Sequence, residues 1–223
     1  TDFSIAEDIS KASTPPSRFY TDPEALSESL EAAFVPSWQF IGDDSLVKVP
    51  GQVHPFTLLE GSLDEPLILT RDLADRIHLV SNVCTHRGNL VCEAGGNERF
   101  LRCRYHGRRF GLDGSFQSMP EFEGVDNFPS SADSLPKLAL SQWGPLLFAS
   151  LAPTVPAEDW FAPMLDRLGW MPLSDFKHDP ARAKDYLVNG HWALYVDNYL
   201  EGFHIPFIHA GLTATLDYAN YAT

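Results

Sequence analysis

Cys84-Thr85-His86-Arg87-Gly88 and, after sixteen residues between His86 and Cys103, Cys103-Arg104-Tyr105-His106-Gly107 decide how the rest of the chain is read. Each stretch offers one thiol and one imidazole, and each follows an apolar run of strand length. Two loops at one end of a β unit then present one Cys and one His apiece to a shared site. Two chemistries accept such a donor set. One is a tetrahedral Zn(II); the other is a two-iron, two-sulfide cluster in which two thiolates hold one iron and two imidazoles the other. Ligand order favours the cluster, because zinc modules pair Cys with Cys and His with His, whereas both motifs here mix the two types.

Around these loops, from Trp38 to about Pro153, short apolar runs are cut by Gly, Pro and Asp, the pattern of an all-β unit. Strands are expected at Trp38 to Gly42, Phe56 to Glu60, Leu67 to Thr70, Ile77 to Ser81, Phe100 to Arg102, Arg109 to Gly111 and Leu146 to Leu151. Asp113-Gly114 between two aromatic-containing runs signals a hairpin. Upstream, residues 1 to 20 read as an arm. A helix follows, with Thr21 and Glu24 as a capping box, Pro23 in the first turn, and Leu26, Leu30, Ala33 and Phe34 at helical spacing. Pro153 to Pro156 reads as a linker into a mixed region, in which Trp192 to His204 is expected as a helix ended by Pro206.

The flanks of the two ligand pairs closely resemble the loops of the Rieske non-haem iron oxygenases, the ring-hydroxylating oxygenase alpha subunits. The resemblance implies that Cys84, His86, Cys103 and His106 hold a [2Fe-2S] cluster. Respiratory-type Rieske proteins carry an extra cysteine in each loop, where this chain has Asn89 and Tyr105. They also place Ser after the His-Gly pair as a donor to the cluster, and the oxygenases place Trp there, whereas here the residue is Arg108. Fewer hydrogen bonds to cluster sulfur imply a lower potential within the Rieske range of about -150 to +300 mV.

A second motif bears on whether the cluster serves a catalytic iron. In Asp197-Asn198-Tyr199-Leu200-Glu201-Gly202-Phe203-His204-Ile205-Pro206-Phe207-Ile208-His209, helical spacing puts Asp197, Glu201 and His204 at about 0°, 40° and 340°, on one face. His209 falls off that face, and Pro206 is expected to turn the chain so that His209 comes back towards His204. By themselves these residues fit a solvated acidic face with two ordinary histidines equally well. Beside the Rieske motif, the segment resembles the family's mononuclear-iron motif. His204 and His209 are then ligands of a non-haem Fe(II), two members of a 2-His-1-carboxylate triad whose open positions take O2. By the same resemblance Glu201 is a bridging carboxylate for electron transfer, and Asn198 and Asp197 are expected with it as catalytic residues. The family's third ligand, an aspartate, lies far beyond the histidine pair, and this sequence ends at Thr223. A C-terminally truncated member is therefore expected, with Asp217 too close in sequence to fill that role.

The resulting expectation is an α+β protein in three parts. They are an N-terminal arm and helix over 1–37, an all-β Rieske domain over 38–154, and over 155–223 the beginning of a helix-grip (SRPBCC-like) catalytic domain. The implied activity is O2-dependent, NAD(P)H-linked hydroxylation of an aromatic or quaternary ammonium substrate. A separate flavin and iron-sulfur reductase feeds it, and electrons pass between subunits of a homotrimer. Glu201 in place of the Asp usual in ring-hydroxylating members hints at quaternary ammonium compounds, with Tyr195, Tyr199, Phe203 and Phe207 as candidates for a cation cage. The alternatives are a Rieske ferredoxin-like electron carrier and a truncated inactive relative.

Composition agrees with this picture. A chain of 223 residues exceeds the usual ~100 to 200 of one domain. Sixteen basic against thirty acidic residues, a net charge of -14, disfavour nucleic acid and anionic lipid as partners. No stretch has the ~18 consecutive apolar residues of a membrane span, and none resembles a signal peptide, so a soluble, cytoplasmic protein is expected. Three cysteines, an odd number, do not build a disulfide framework. Cys92, outside the motif, is expected to be a small buried apolar residue. His191 is expected to be an ordinary supporting or surface residue, and His54, His78 and His178 structural or exposed.

Overall fold

The computed structural model describes residues 3–216. The chain divides into two compact units, residues 30–180 and residues 1–29 with 181–223.

The larger unit is built from ten strands in three antiparallel sheets; seven overlap the expected apolar runs, the one expected from Phe56 beginning four residues earlier at Gln52, and those at Gly96–Asn97, Phe116–Ser118 and Ala139–Trp143 fall outside them. Strands β1 (Gln39–Asp43), β9 (Ala139–Trp143) and β10 (Leu146–Ser150) form one sheet in the order β1-β10-β9. Strands β2 (Gln52–Leu58), β3 (Glu65–Arg71), β4 (Ile77–Ser81) and β5 (Gly96–Asn97) form a second, in the order β4-β3-β2-β5. Strands β6 (Leu101–Arg102), β7 (Arg109–Phe110) and β8 (Phe116–Ser118) make a small third sheet. The Asp113-Gly114 hairpin joins β7 to β8 as expected. Asp113 accepts from the Ser115 amide at 3.1 Å, and Gly114 supplies a φ of 82° that a side chain would strain.

Two hydrophobic clusters explain why the central strands read as unbroken apolar runs. Leu67 and Leu69 of β3 and Leu79 of β4 join Val47, Leu58, Leu147 and Ala149 on one side. Ile68 and Val80, on the opposite faces of the same strands, join Val53, Leu101, Phe110, Leu112 and both motif cysteines on the other. A strand buried on both faces has no polar alternation to display. Each of the Val, Leu, Ile and Phe side chains among these stabilises the fold by about 1.5 to 3 kcal/mol relative to exposure. The second cluster of residues is the floor on which the ligand loops rest.

Helix α3 (Ala157–Leu168) belongs to the same unit, its Phe161 packing on Phe148 at 4.5 Å between ring centroids. It follows the Pro153 to Pro156 segment, where Trp38 Nε1 donates to the Val155 carbonyl at 3.0 Å.

Helix α1 (Arg18–Thr21) lies in the other unit, where α2 (Pro23–Ala33) also begins. The expected capping box at Thr21 and Glu24 does not form. Thr21 closes α1 and donates to the Ser17 carbonyl, while Asp22 caps α2 by accepting from the Glu24 amide at 3.0 Å. A carboxylate one residue closer to Pro23 outcompetes the threonine hydroxyl, and Pro23 takes the first helical position as predicted.

Helix α4 (Trp192–Leu200) is shorter than the expected Trp192 to His204. Glu201 is extended, with φ -113° and ψ 147°, and its carboxylate accepts from the Phe203 amide at 2.6 Å and the His204 amide at 3.3 Å. This side-chain turn, together with Gly202, which costs a helix about 1 kcal/mol, ends α4 before the histidines. Pro206 opens a helix instead of ending one: α5 (Ile205–Ile208) carries it in its first turn, where its missing amide costs nothing. Helix α6 (Ala210–Thr213) follows.

Candidate cluster and metal sites

The two ligand loops are built on one plan. In the first, between β4 and β5, the Cys84 amide donates to the Asn89 carbonyl at 2.9 Å and the Gly88 amide to the Cys84 carbonyl at 3.0 Å. In the second, between β6 and β7, the Cys103 amide donates to the Arg108 carbonyl at 2.9 Å and the Gly107 amide to the Cys103 carbonyl at 3.0 Å. Gly88 and Gly107 stand at φ 70° and 76°, a conformation that L side chains rarely adopt, and this fixes why each motif closes on glycine.

The donors sort by depth. Cys84 and Cys103 are buried in the hydrophobic floor at 3% and 2% exposure, whereas His86 is half-buried and His106 exposed. The two imidazoles lie side by side, ring centroids 4.7 Å apart at 77°. Burial raises the Cys84 thiol above its ordinary pKa, and the Cys103 thiol beside it adds to the shift. Burial lowers His86, with His106, Arg87 and Arg108 acting in the same direction, so the ring is held neutral and able to donate a lone pair. An inner pair of thiols and an outer pair of imidazoles is a donor set that would suit a two-iron, two-sulfide cluster. The residues fit a Rieske-type [2Fe-2S] group.

Several residues besides the four ligands support these loops. Buried Asn82 closes the base of the first loop. Its Oδ1 accepts from the amides of Val91 at 3.1 Å and Cys92 at 2.8 Å, and its Nδ2 donates to the Cys92 carbonyl at 2.8 Å. Asn89 Nδ2 reaches the Cys103 sulfur at 3.8 Å, a donor to a ligand sulfur from the opposite loop. Arg108, the departure noted above, is 3% exposed and joins Thr85 to Asp133. Cys92 is only half-buried, packed against the floor with its thiol 3.2 Å from the Ala94 carbonyl.

Of the remaining histidines, His78 pairs with Asp72 at 2.8 Å, and His54 stacks on Phe56. His178 is exposed. All three have the structural or exposed character expected.

In the second unit the structure brings Glu201, His204 and His209 together but not Asp197. His204 Nδ1 hydrogen-bonds Glu201 Oε1, and the His204 and His209 rings lie 5.1 Å apart at 75°. Burial would raise the Glu201 carboxyl, but the His204 ring and the Phe203 and His204 amides override it and hold the group below its ordinary value. With Nδ1 engaged, Nε2 of His204 is the nitrogen left to face a metal. Asp197 instead accepts from the Tyr20 hydroxyl at 2.6 Å, and Asn198 is exposed on α4. The helical-face argument fails because α4 ends at Leu200; the Glu201 turn and the short α5 produce the juxtaposition. Among the described residues no three His, Cys, Asp or Glu side chains are arranged around a single ion. Asp217 lies outside the described residues. The candidate cage residues Tyr195, Tyr199, Phe203 and Phe207 are all exposed.

Of the two expected roles, His191 has the supporting one. It is buried, caps α4 by accepting from the Ala193 amide at 3.1 Å, and packs among Phe19, Tyr20 and Trp192. Trp192 Nε1 reaches Ser29 Oγ at 3.0 Å, so the arm and α4 share one small core.

Residues 37–129 match the Rieske [2Fe-2S] domain family, which makes this a Rieske-type iron-sulfur protein. The chain is 30% identical over 239 residues to choline monooxygenase of Arabidopsis thaliana, covering 100% of this chain and 54% of that protein. It is 29% identical over 217 residues to the carnitine monooxygenase oxygenase subunit of Escherichia coli, covering 95% of this chain and 56% of the relative. A solved quaternary ammonium Rieske monooxygenase superposes with a TM-score of 0.74 at 25% identity, over 87% of this chain and 56% of that one. Over nearly its whole length the chain is similar to oxygenase components of the Rieske non-haem iron type. It spans about half the length of the curated relatives it matches. Among the described residues no helix is long and apolar enough to cross a membrane.

Proposed function

We propose that this chain is the cluster-bearing part of an oxygenase component that hydroxylates a quaternary ammonium compound, fed by an NAD(P)H-dependent reductase. In this reading residues 38–154 receive electrons and residues 155–223 begin the mononuclear-iron domain. The observation that carries it is the pairing of two sites in one chain: buried thiols with surface imidazoles, and the Glu201-His204-His209 group. The named activities of the choline and carnitine relatives favour a quaternary ammonium substrate over an aromatic one.

When bound, the cluster supplies single electrons and the Fe(II) supplies O2 activation for hydroxylation. The protein's own part is positional. Cys84 and Cys103, buried in an apolar floor, would hold one iron of the cluster, and half-buried His86 with exposed His106 would hold the other. Glu201 orients His204 by accepting from Nδ1 at Oε1, and that oxygen keeps a lone pair for a further donor, while Oε2 is engaged by the Phe203 and His204 amides. We assign that donor to His106 of a neighbouring copy in a homotrimer, so that electrons cross between subunits.

Metal and sulfide analysis of the anaerobically reconstituted chain tests the two-site reading. A third iron beyond the two accompanied by two sulfides supports it, and two irons alone would leave an electron carrier. Glu201→Gln should slow O2-driven reoxidation of the reduced cluster with its absorbance unchanged. Wild-type reoxidation would refute the bridge.

A further inference from the structure

Arg108 occupies a position the oxygenase role does not explain. It directly follows the His106-Gly107 ligand segment, and its carbonyl accepts the Cys103 amide at 2.9 Å, so its backbone is part of the second loop. Its side chain belongs to the first. Nη1 donates to Thr85 Oγ1 at 2.9 Å, between the ligands Cys84 and His86. Nη2 hydrogen-bonds Asp133 Oδ1, and Thr85 Oγ1 donates in turn to the Asp133 carbonyl at 2.7 Å, closing a three-residue ring. Asp133 is itself held, its second oxygen accepting from Ser130 N at 2.7 Å and Ser130 Oγ at 3.0 Å. The guanidinium lies against Phe116 and Phe128, at 5.1 and 5.6 Å from their ring centroids.

A cation 3% exposed is costly to bury unless negative charge compensates it. Asp133 supplies one charge. A [2Fe-2S] group held by two thiolates and two neutral imidazoles is formally uncharged when oxidised, and it takes on one negative charge when it accepts an electron. Only a planar five-donor guanidinium can satisfy Thr85 and Asp133 at once while stacking on two rings.

We propose that Arg108 is a positioning residue for the cluster: it latches the two ligand loops together through Thr85 and Asp133, and its buried fixed charge favours the reduced state. The proposal rests on the four-ligand [2Fe-2S] reading, and wild-type iron and sulfide content tests that reading separately. Failure of the wild type to hold two irons and two sulfides would remove the reading itself.

The test compares R108M, R108K and D133N in the full chain after anaerobic reconstitution, with dye-mediated redox titration and bleaching by an iron chelator as readouts. Each titration adds one electron per cluster from the dye. A unit charge acting across protein of effective dielectric about 20 changes such an equilibrium by on the order of tenfold. R108M should lower the reduction constant about tenfold, equivalent to about 59 mV for one electron. R108K should keep it within about twofold, because the charge remains. D133N should raise it, because the cation loses its counter-charge. A purely structural loss would not send R108M and D133N in opposite directions. Bleaching should accelerate several-fold in R108M and R108K, since neither makes the two-loop fork. Potentials of R108M and D133N that move together, or not at all, overturn the electrostatic role. Wild-type bleaching rates in both R108M and R108K overturn the latch.

Discussion

Replacing Asn82 by Ala should loosen the first ligand loop at its base, and the size of the effect follows from three hydrogen bonds. Asn82 is 3% exposed and pairs with Val91 and Cys92 through both side-chain atoms. In N82A the Val91 amide keeps a partner, the Asn82 carbonyl at 3.0 Å, but the Cys92 amide and carbonyl lose theirs. An unsatisfied buried polar group costs about 1 to 3 kcal/mol, and Cys92 is half-buried, so water recovers part of it. The expected loss is about 2 to 4 kcal/mol, read from urea unfolding of the reconstituted chain. Asn82→Asp keeps the two accepting contacts but sets a carboxylate against the Cys92 carbonyl, so it should lose a comparable amount. Both variants should also release the cluster faster, because Cys84 and His86 lie within the loop that Asn82 closes. An N82A stability within about 0.5 kcal/mol of wild type, the range of an indifferent surface change, would refute this account of the loop.

Ile68→Ala, in the fully buried floor below the cysteines, should cost about 2 to 5 kcal/mol in the same unfolding assay; a loss under 1 kcal/mol would show that the floor collapses to fill the gap. Gly107→Ala should destabilise more than Gly88→Ala. Both glycines have positive φ, but a Cβ at 107 would meet Pro120 Cγ at 3.3 Å while none of the surroundings lies within 4 Å at 88; equal losses would discount the contact. Burial would raise the Asp113 carboxyl, but the Ser115 hydroxyl and amide and Lys137 hold it down at about 2. Its folded pKa is thus below the unfolded value of about 3.9, so its stabilisation is present above pH ~4 and fades as pH falls towards 2. The stability gap between wild type and D113N should therefore narrow over that interval, and a gap independent of pH would contradict the assignment.

Much of the cluster site could be read from the sequence because its information is local. Cys84, His86, Cys103 and His106 announce themselves by type and spacing, β4 falls where the Ile77 to Ser81 run places it, and Asp113-Gly114 marks its own turn. Strands β5 and β8 escaped because two or three residues held by tertiary pairing carry no periodicity, and β9 because its half-buried pattern has no apolar alternation. Arg108, Thr85 and Asp133 meet across separations of 23, 25 and 48 residues, which no local pattern encodes. The helical reading of Trp192 to His204 failed for a physical reason: the Glu201 carboxylate competes for the amides that would have continued the helix. The Glu201 and His204 pairing nevertheless stands, since a tight turn brings residues three apart together as a helix does.

Mössbauer spectroscopy of the chain reconstituted with 57Fe addresses the ligand assignment most directly. Two buried thiolates on one iron and two surface imidazoles on the other predict two iron environments of equal intensity, with sulfide matching that iron one for one. A single cluster-iron environment, or a zinc ion bound in place of iron, would contradict it.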